Sequence, residues 1–433
     1  MLWPTTSTRT VDLEGWATEQ IQYGFIDVQG TPVVPPRYAW FSYCRDDAGR
    51  TALVLAGSGT APADILDLSG EVIGHVPGRF ADCVGDTHAV FVTHSSEIGP
   101  LEFGSGLFDL RSGETMIEAK PGRTVTTIDR RTVNVHRAKG EYFLDLVTGE
   151  KTPHPGFLAG YPDASASPAD LALIPASTVP IDTYAEPEEA PLNGYLDRSG
   201  GWAIEPAFRR ADPFQAGYAV VGDDTSVHFI DTAFQRVGGD WARVYATQWG
   251  YQVEPDALHQ SDPGLLGLDL RVILEPGVAE TTGCGWSSPT VCDVHPHASP
   301  PQVLLLPEGR LIDPPEGFDR ALSPTQFSDA PPEGPATRIH DAATGITFAL
   351  DRPSYCETVG AWIRCGPEVA AAPPAVYRAD GERTEFRDVT GVEGAVRDTA
   401  SGYYWATAGS HQGFIDEAGR WLYRESRYTT LED

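Results

Sequence analysis

The residues best placed to do chemistry are aspartates that recur at one point of a short motif. Most of them follow apolar residues and precede a glycine by three or four positions: Asp27, Asp67, Asp109, Asp145, Asp197, Asp231, Asp341 and Asp416. Such a series could supply metal ligands or paired acids. A calcium loop would need Asp-x-Asp-x-Asp-Gly spacing, which is absent. Turn chemistry accounts for each aspartate separately, so the sequence predicts structural aspartates.

A second candidate is the only cluster of cysteine and histidine, formed by Cys284, Cys292, His295 and His297. Structural zinc sites usually pair their cysteines as C-x2-4-C. Here seven residues separate the two cysteines and two prolines stiffen the loop. We therefore predict no metal ligands.

The other cysteines, Cys44, Cys83, Cys356 and Cys365, are widely spread. Cys356 and Cys365 could face each other across a hairpin, although small buried apolar residues need no further explanation. The sequence thus predicts no disulfide framework and a reducing cytoplasm. The first residues lack a signal-peptide pattern, and no apolar stretch reaches about 18 residues, so no membrane association is expected.

Signatures of common enzymes are missing from the sequence. A nucleophile elbow, a P-loop, a dinucleotide fingerprint and an HExxH motif are all absent. The segments 57–59 and 104–106 are Gly-Ser-Gly turns without the context of an elbow. We predict no catalytic residues, no cofactor and no enzyme activity.

The overall charge restricts the class of partner. The formal net charge is -30, with 61 acidic and 31 basic residues. Such a surface repels phosphate backbones, so we predict that nucleic acid is not a partner. It attracts cationic partners, although solubility alone would also account for it.

The aspartates belong to a repeated hairpin pattern. Residues 24–30, 194–200 and 413–419 share Gly, aromatic, aliphatic, Asp, two variable residues and Gly. The first apolar residues indicate a strand, Asp caps the turn, and the final Gly tolerates positive φ. A second strand follows, and the prolines at 35–36 and 206 are expected to end its pairing.

Weaker copies fill the intervals, and successive aspartates of neighbouring copies lie 34 to 42 residues apart. A period near 40 with strand-like content indicates propeller blades or a β-solenoid, because helical repeats would show a 3.6-residue period. The predicted fold class is all-β, made of degenerate hairpin or meander repeats of about 40 residues. A propeller-like arrangement is favoured, with a β-solenoid as the alternative.

Residues 194–208, continued by 211–221, resemble the WG repeat of bacterial proteins. The usual Trp-Gly is replaced by Tyr23-Gly24, Asn193-Gly194 and Gln412-Gly413. The first copy also lacks the Ala-x-Pro-Phe continuation and reads Phe-Ser-Tyr-Cys at 41–44. The resemblance implies a binding scaffold, with an immunity role beside secreted toxins in some relatives, and no catalytic residues.

The repeats suggest a simple division of the chain. Residues 1–20 form a lead, 21–424 form the β-repeat array, and 425–433 form a tail. Two Pro-rich stretches, about 152–192 and 299–337, are linkers or ordered insertions that contain a strand. A strong copy at each end of the array also fits ring closure, although a stacked solenoid could carry them.

Three functional hypotheses remain open. The first is a non-enzymatic, cytoplasmic, protein-binding scaffold, in its specific form an immunity protein that neutralises a cationic bacterial toxin. The second is a carbohydrate- or small-molecule-binding module or hydrolase, which needs two carboxylates or a His/Asp pair in a central propeller pocket. The third is a purely structural repeat protein. Trp202 and Trp421 follow repeat turns and are expected to pack between blades rather than line a binding face.

Overall fold

The structure is a computed structural model of the 433-residue chain. It describes residues 3–13, 16–27, 31–59, 62–95, 102–137, 140–158, 170–179, 191–223, 225–247, 249–255, 262–282, 290–297, 300–306, 308–331, 334–366, 374–391 and 403–426. The chain divides into two compact units, unit 1 with residues 1–221 and 393–401, and unit 2 with residues 222–392 and 402–433.

Unit 1 is built from short antiparallel strands and one 3-10 helix, Asp170–Ala172. Strands β1–β3 form a three-stranded sheet, and β4–β7, β8–β11, β12–β15 and β16–β19 form four-stranded sheets in which consecutive strands pair. The strands are β1 Trp3–Leu13, β2 Trp16–Ile26, β3 Pro32–Tyr38, β4 Trp40–Arg45, β5 Thr51–Gly57, β6 Ala63–Leu66, β7 Val72–Val76, β8 Phe80–Val84, β9 His88–Ser95, β10 Glu102–Asp109, β11 Glu114–Ile117, β12 Thr124–Asp129, β13 Thr132–Arg137, β14 Gly140–Asp145, β15 Lys151–His154, β16 Phe157–Leu158, β17 Leu173–Ser177, β18 Asn193–Asp197, β19 Trp202–Phe208, β20 Arg210–Ala211 and β21 Tyr218–Gly222.

Unit 2 follows the same plan. After β22 and β23, strands β24–β27, β28–β31 and β38–β41 form four-stranded sheets, and β32–β37 form a six-stranded sheet around the long strand β35. The strands are β22 Val227–Asp231, β23 Arg236–Trp241, β24 Arg243–Thr247, β25 Gly250–Glu254, β26 Gly264–Gly267, β27 Val272–Leu274, β28 Ala279–Thr282, β29 Val291–Pro296, β30 Gln302–Leu305, β31 Arg310–Ile312, β32 Arg320–Ala321, β33 Gln326–Ser328, β34 Ala336–Asp341, β35 Ile346–Val359, β36 Trp362–Gly366, β37 Ala375–Arg378, β38 Asp388–Gly391, β39 Tyr403–Ala408, β40 His411–Asp416 and β41 Trp421–Ser426.

This architecture confirms the predicted fold class. The described residues contain no α-helix, and four-stranded antiparallel meanders of this kind are the blades of β-propellers. No helix among the described residues is long and apolar enough to cross a membrane.

Repeat aspartates stand at the hairpin turns, as the sequence predicted. The carboxylate of Asp67 accepts hydrogen bonds from the backbone N–H groups of Ser69 and Glu71, at 2.8 and 2.9 Å. Asp197 accepts equivalent bonds from Ser199 and Gly201, at 2.8 and 3.1 Å. Each of these turns joins the third strand of a sheet to the fourth, β6 to β7 and β18 to β19.

The glycine that opens the repeat has a second role, which corrects the prediction about proline. Pairing does not end at the prolines: β19 continues through Pro206 to Phe208 by a shift of register opposite Gly194. A Cβ atom on Gly194 would lie 2.3 Å from the carbonyl oxygen of Ile204 and 2.8 Å from the nitrogen of Pro206. The bulged strand therefore needs a residue without a side chain beneath it.

Core residues lie between neighbouring sheets. One cluster joins Leu55 and Ile65 of the β4–β7 sheet to Phe91 and Phe108 of the β8–β11 sheet. The two repeat tryptophans also pack between sheets. Trp202 packs against a cluster drawn from β12–β15 and β16–β19, and the rings of Trp421 and Phe386 lie 5.6 Å apart within a cluster that joins β35–β37 to β38–β41. Their predicted packing role is confirmed.

The segments expected to be a lead and two Pro-rich linkers or insertions also contain strands. The lead 1–20 contains β1 and the first part of β2. The Pro-rich stretch 152–192 contains strands β16 and β17, and the stretch 299–337 contains β30 to β33. The apolar run 303–306 lies on β30 up to Leu305, as predicted. The run 171–174 is only partly a strand, because Leu171 and Ala172 belong to the 3-10 helix and β17 begins at Leu173.

We predict that Gly194→Ala destabilises unit 1 by about 1–3 kcal/mol, because the added methyl group meets backbone atoms that cannot rotate away. Urea denaturation followed by tryptophan fluorescence measures this loss. Gly239→Ala is the matched control, because no atom lies within 4 Å of a Cβ built there. Equal unfolding midpoints for the two variants would contradict the role of the bulge.

Candidate binding surface on strand β4

Strand β4 borders an open groove in unit 1. The groove has a volume of about 560 Å³. All but one of the six residues of β4 line it, together with two residues from nearby segments. The lining residues are Tyr23, Ala39, Trp40, Phe41, Ser42, Tyr43 and Arg45.

Aromatic rings make up much of the groove wall. The ring of Phe41 lies 4.9 Å from that of Tyr23 and 5.4 Å from that of Tyr43, both edge to face. Burial raises the pKa of the Tyr43 hydroxyl far above physiological pH. This phenol therefore stays protonated and does not act as a base.

Trp40 connects β4 to the neighbouring sheet. Its ring centroid lies 5.9 Å from that of Phe80 on β8, and its indole N–H donates to the carbonyl oxygen of Arg79 at 3.0 Å. The indole occupies the space over Gly57, where a Cβ atom would lie 2.6 Å from the ring. Phe80 is 51% exposed, so this aromatic pair is open to solvent on one side.

Further along the same two strands, the Ser42 hydroxyl donates to Oδ1 of Asp82 at 2.6 Å. The N–H of Cys83 donates to the same oxygen at 2.9 Å. The other carboxylate oxygen of Asp82 makes no hydrogen bond or ion pair with any described residue. Asp82 is exposed, so one carboxylate oxygen is fixed and the other is available.

A disulfide lies directly behind the groove, which contradicts the predicted absence of disulfides. Cys44, the residue of β4 that does not line the groove, is bonded to Cys83 of β8, with a Cα–Cα distance of 5.1 Å. Cys356 and Cys365 are directly opposed on β35 and β36 and are also bonded. Cys356 and Cys365 thus face each other across a hairpin, as the sequence allowed. The spacing of 39 residues concealed the Cys44–Cys83 pair, because packing between sheets brings distant residues together.

The Cys/His cluster does not assemble as a metal site. Cys292 is disulfide-bonded, so its sulfur is not a free thiolate, and Cys284 lies outside the described residues. His295 lies on β29, and the ring of His297 contacts Asp262 at 3.3 Å. Among the described residues, no three Cys, His, Asp or Glu side chains are grouped as metal ligands would be.

The carboxylates of the turn aspartates accept hydrogen bonds from their own turns. The hydroxyl of Ser69 lowers the pKa of Asp67, and that of Ser199 lowers the pKa of Asp197. Both carboxylates therefore stay ionised, and neither is suited to be a proton donor near neutral pH.

Two histidine–carboxylate pairs were not found from the sequence. His75 contacts Asp64 at 2.9 Å across β6 and β7, and His136 contacts Glu141 at 2.8 Å across β13 and β14. Cross-strand register creates both pairs, and sequence spacing does not reveal it. Neither pair lines the β4 groove.

Together these features define an all-β repeat protein with an open groove lined by aromatic residues. The family model described as "WG containing repeat" matches residues 23–44 and 194–224. The match supports a WG-repeat protein, and its first segment includes Tyr23 and most of β4. The comparison with curated proteins found no match.

Several solved structures are similar in fold at low identity. A eukaryotic initiation factor is 13% identical with a TM-score of 0.33, over 78% of this chain and 96% of that one. BamB from Moraxella catarrhalis is 13% identical with a TM-score of 0.22, over 73% and 97%. Dipeptidyl peptidase 4 from Porphyromonas gingivalis is 12% identical with a TM-score of 0.34, over 91% of this chain and 60% of that one. These likenesses add nothing to the functional argument.

The groove coincides with the point where the first repeat departs from its pattern. In the second repeat, Phe214 is buried against Tyr195, with ring centroids 5.2 Å apart. In the first repeat Cys44 stands at the equivalent position, and the residues before it, 41–43, face the groove. The sequence shows that residues 41–44 differ from the repeat pattern, and the structure shows that residues 41–43 line the groove.

We predict that Cys44→Ala/Cys83→Ala lowers the free energy of unfolding of unit 1 by about 4 kcal/mol, because the loop it releases is long. The control, Cys356→Ala/Cys365→Ala, releases a loop of separation 9 instead of 39 and should cost about 2.5 kcal/mol. Urea denaturation without reductant measures both. Wild-type protein with reductant should lose at least as much stability as the Cys44→Ala/Cys83→Ala variant, because reductant opens every disulfide of the chain. Unchanged stability in every case would mean that these cysteines are unpaired.

Proposed function

We propose that this chain is a non-enzymatic scaffold that binds another protein through the β4 groove. The composition of the groove carries the proposal: four aromatic side chains and Arg45 line an open surface. Aromatic residues and arginine are the types enriched at the centres of protein interfaces. Small-molecule sites enclose most of their ligand's surface, whereas this groove is open to solvent, which favours an extended protein ligand over a small substrate.

The charge of the chain supports a basic partner. Arginines pair with the chain's own carboxylates, as Arg111 does with Asp86 and Arg131 with Asp47. Because acidic residues outnumber basic ones 61 to 31, carboxylates remain in excess after such pairing. Exposed Glu71, Glu114 and Glu150 each follow a turn glycine in consecutive sheets of unit 1 and have no ion pair within the described residues.

In its more specific form, the proposal is that the basic partner is a bacterial toxin and that the chain neutralises it. The net charge and the WG-repeat resemblance motivate this form. Co-expression of the chain with a candidate toxin, scored by survival of the host cell, tests it. Loss of protection in variants that fail to bind would tie neutralisation to the complex.

A carbohydrate module is the second candidate, because the exposed Trp40–Phe80 pair offers rings on which a sugar could stack. A purely structural repeat protein is the third, and it requires no ligand. Binding measurements on variants of the groove separate all three.

The disulfides bear on the compartment in which the protein works. The cytoplasmic location predicted from the sequence assumed unpaired cysteines, and Cys44, Cys83, Cys292, Cys356 and Cys365 are all bonded. Disulfides persist in oxidising compartments. We therefore propose that the protein folds and acts in an oxidising compartment.

We predict that the full chain, immobilised and exposed to extract of its native cell, retains a stoichiometric basic protein at low salt. Phe80→Ser should weaken the complex at least about tenfold, because it removes the exposed ring that packs against Trp40 of the groove. Val147→Ser, which alters a 72% exposed apolar residue on a turn, should leave it unchanged. Failure to recover a protein at low or moderate salt, or equal loss with both variants, would contradict the proposal.

We predict that the cysteines are oxidised in the native cell. Rapid acid quenching followed by alkylation with a heavy maleimide, before and after reduction, reports the number of free thiols. The Cys356→Ala/Cys365→Ala variant serves as the size standard. Labelling of thiols without prior reduction would place the protein in a reducing compartment.

A further inference from the structure

We propose that Trp40, Phe80 and Asp82 form a subsite for a cationic side chain, preferably arginine, of the bound protein. This inference deepens the proposed function and rests on it for the identity of the ligand. It concerns the side of β4 that faces β8, where aromatic and acidic groups adjoin.

Alternation along β8 places the two groups on one side. Phe80 and Asp82 are exposed, whereas Ala81 between them is buried. Side chains two residues apart on a strand point the same way and lie about 6.6 Å apart. An arginine or lysine side chain spans a similar distance from its first carbon to its charged head.

The Trp40–Phe80 pair can contact the aliphatic part of such a side chain and the flat face of a guanidinium group. Trp40 and Phe80 are tilted by 32° with ring centroids 5.9 Å apart, and Phe80 is open to solvent. Cations are attracted to the faces of tryptophan and phenylalanine rings. A guanidinium group also stacks on these faces, which favours arginine over lysine.

The carboxylate of Asp82 is held in a fixed orientation that allows it to bind the charged group of the ligand side chain. Ser42 and the N–H of Cys83 both donate to Oδ1 and so fix the orientation of the group. Oδ2 has no partner among the described residues, and neighbouring Arg79 makes no ion pair with it. One charge-assisted hydrogen bond from the ligand would give Oδ2 the partner that it lacks among the described residues.

The disulfide gives the subsite its rigidity. Cys44 is two residues after Ser42, and Cys83 directly follows Asp82, so the bond joins the two strands beside the subsite. Rigid strands hold binding groups more accurately than loops do. The geometry therefore exists before the ligand arrives.

The test uses the full chain labelled with 5-fluorotryptophan and followed by fluorine NMR, with the Trp40 signal assigned from Trp40→Phe. The probes are N-acetyl-arginine amide, the lysine equivalent, and N-acetyl-citrulline amide as the neutral analogue of arginine. Arginine should shift the Trp40 signal in a saturable way, lysine should bind more weakly, and citrulline should leave it unchanged. Methyl glucoside tests whether the rings of Trp40 and Phe80 bind a sugar instead.

Asp82→Asn should raise the dissociation constant for the arginine probe about tenfold, because it removes a hydrogen bond between charged groups. Glu118→Gln, an exposed carboxylate elsewhere in unit 1, should have no effect. Preserved dispersion of the other tryptophan signals shows that Asp82→Asn is folded. Equal shifts from arginine and citrulline, binding of the glucoside alone, or no shift of Trp40 would overturn the subsite.

The two proposals fail in different ways. If arginine binds at Trp40 but no protein partner is captured, the subsite stands and the scaffold proposal falls. If a partner is captured in a Phe80-dependent manner while Asp82→Asn binds it normally, the scaffold stands and the subsite is wrong.

Discussion

Most of the small sheets depend on the hydrogen bonds that an aspartate makes to its own turn. A tight turn leaves backbone N–H groups without strand partners, and burying or straining them costs free energy. Asp67 satisfies two of these groups, and Gly70 supplies the positive φ of +85° that completes the reversal. The same solution recurs with Asp197 and Gly200. The turn therefore fixes register, and register decides which side chains face the next sheet.

A four-stranded sheet of this size cannot bury enough apolar surface by itself. The core clusters accordingly join residues of successive sheets, as Leu55 and Phe91 do, and stability depends on neighbours stacking. Close contacts between neighbouring strands of one sheet also require small residues at particular points. Gly194 admits the bulged strand that carries Pro206, and Gly57 admits the indole of Trp40.

Much of the fold could be predicted from the sequence, because turn chemistry is local. Asp, Gly and the preceding apolar residues act within a few positions, so each copy can be recognised alone. Pairings across sheets were missed because they depend on packing. Cys44 and Cys83 are 39 residues apart, close to one repeat period, and so occupy first strands of successive sheets. The match between the 39-residue spacing of these cysteines and the repeat period was the sequence signal that could have indicated this disulfide. The strand through Pro206 was missed because a bulge, rather than a strand end, accommodates the ring.

Conserving a repeat scaffold and creating a binding surface make opposite demands on the same positions. Residues that follow the repeat are committed to turns and inter-sheet packing, as Phe214 is against Tyr195. A position becomes available for binding where the local sequence departs from the repeat and another interaction takes over its structural role. At β4 a disulfide through Cys44 joins the strand to β8 at the position of the repeat's buried phenylalanine. Phe41 and Tyr43 are then placed at the groove. Phe41 also packs edge to face on Phe25, the counterpart of Tyr195, so the strand keeps an aromatic contact with the repeat while the disulfide joins it to the next sheet.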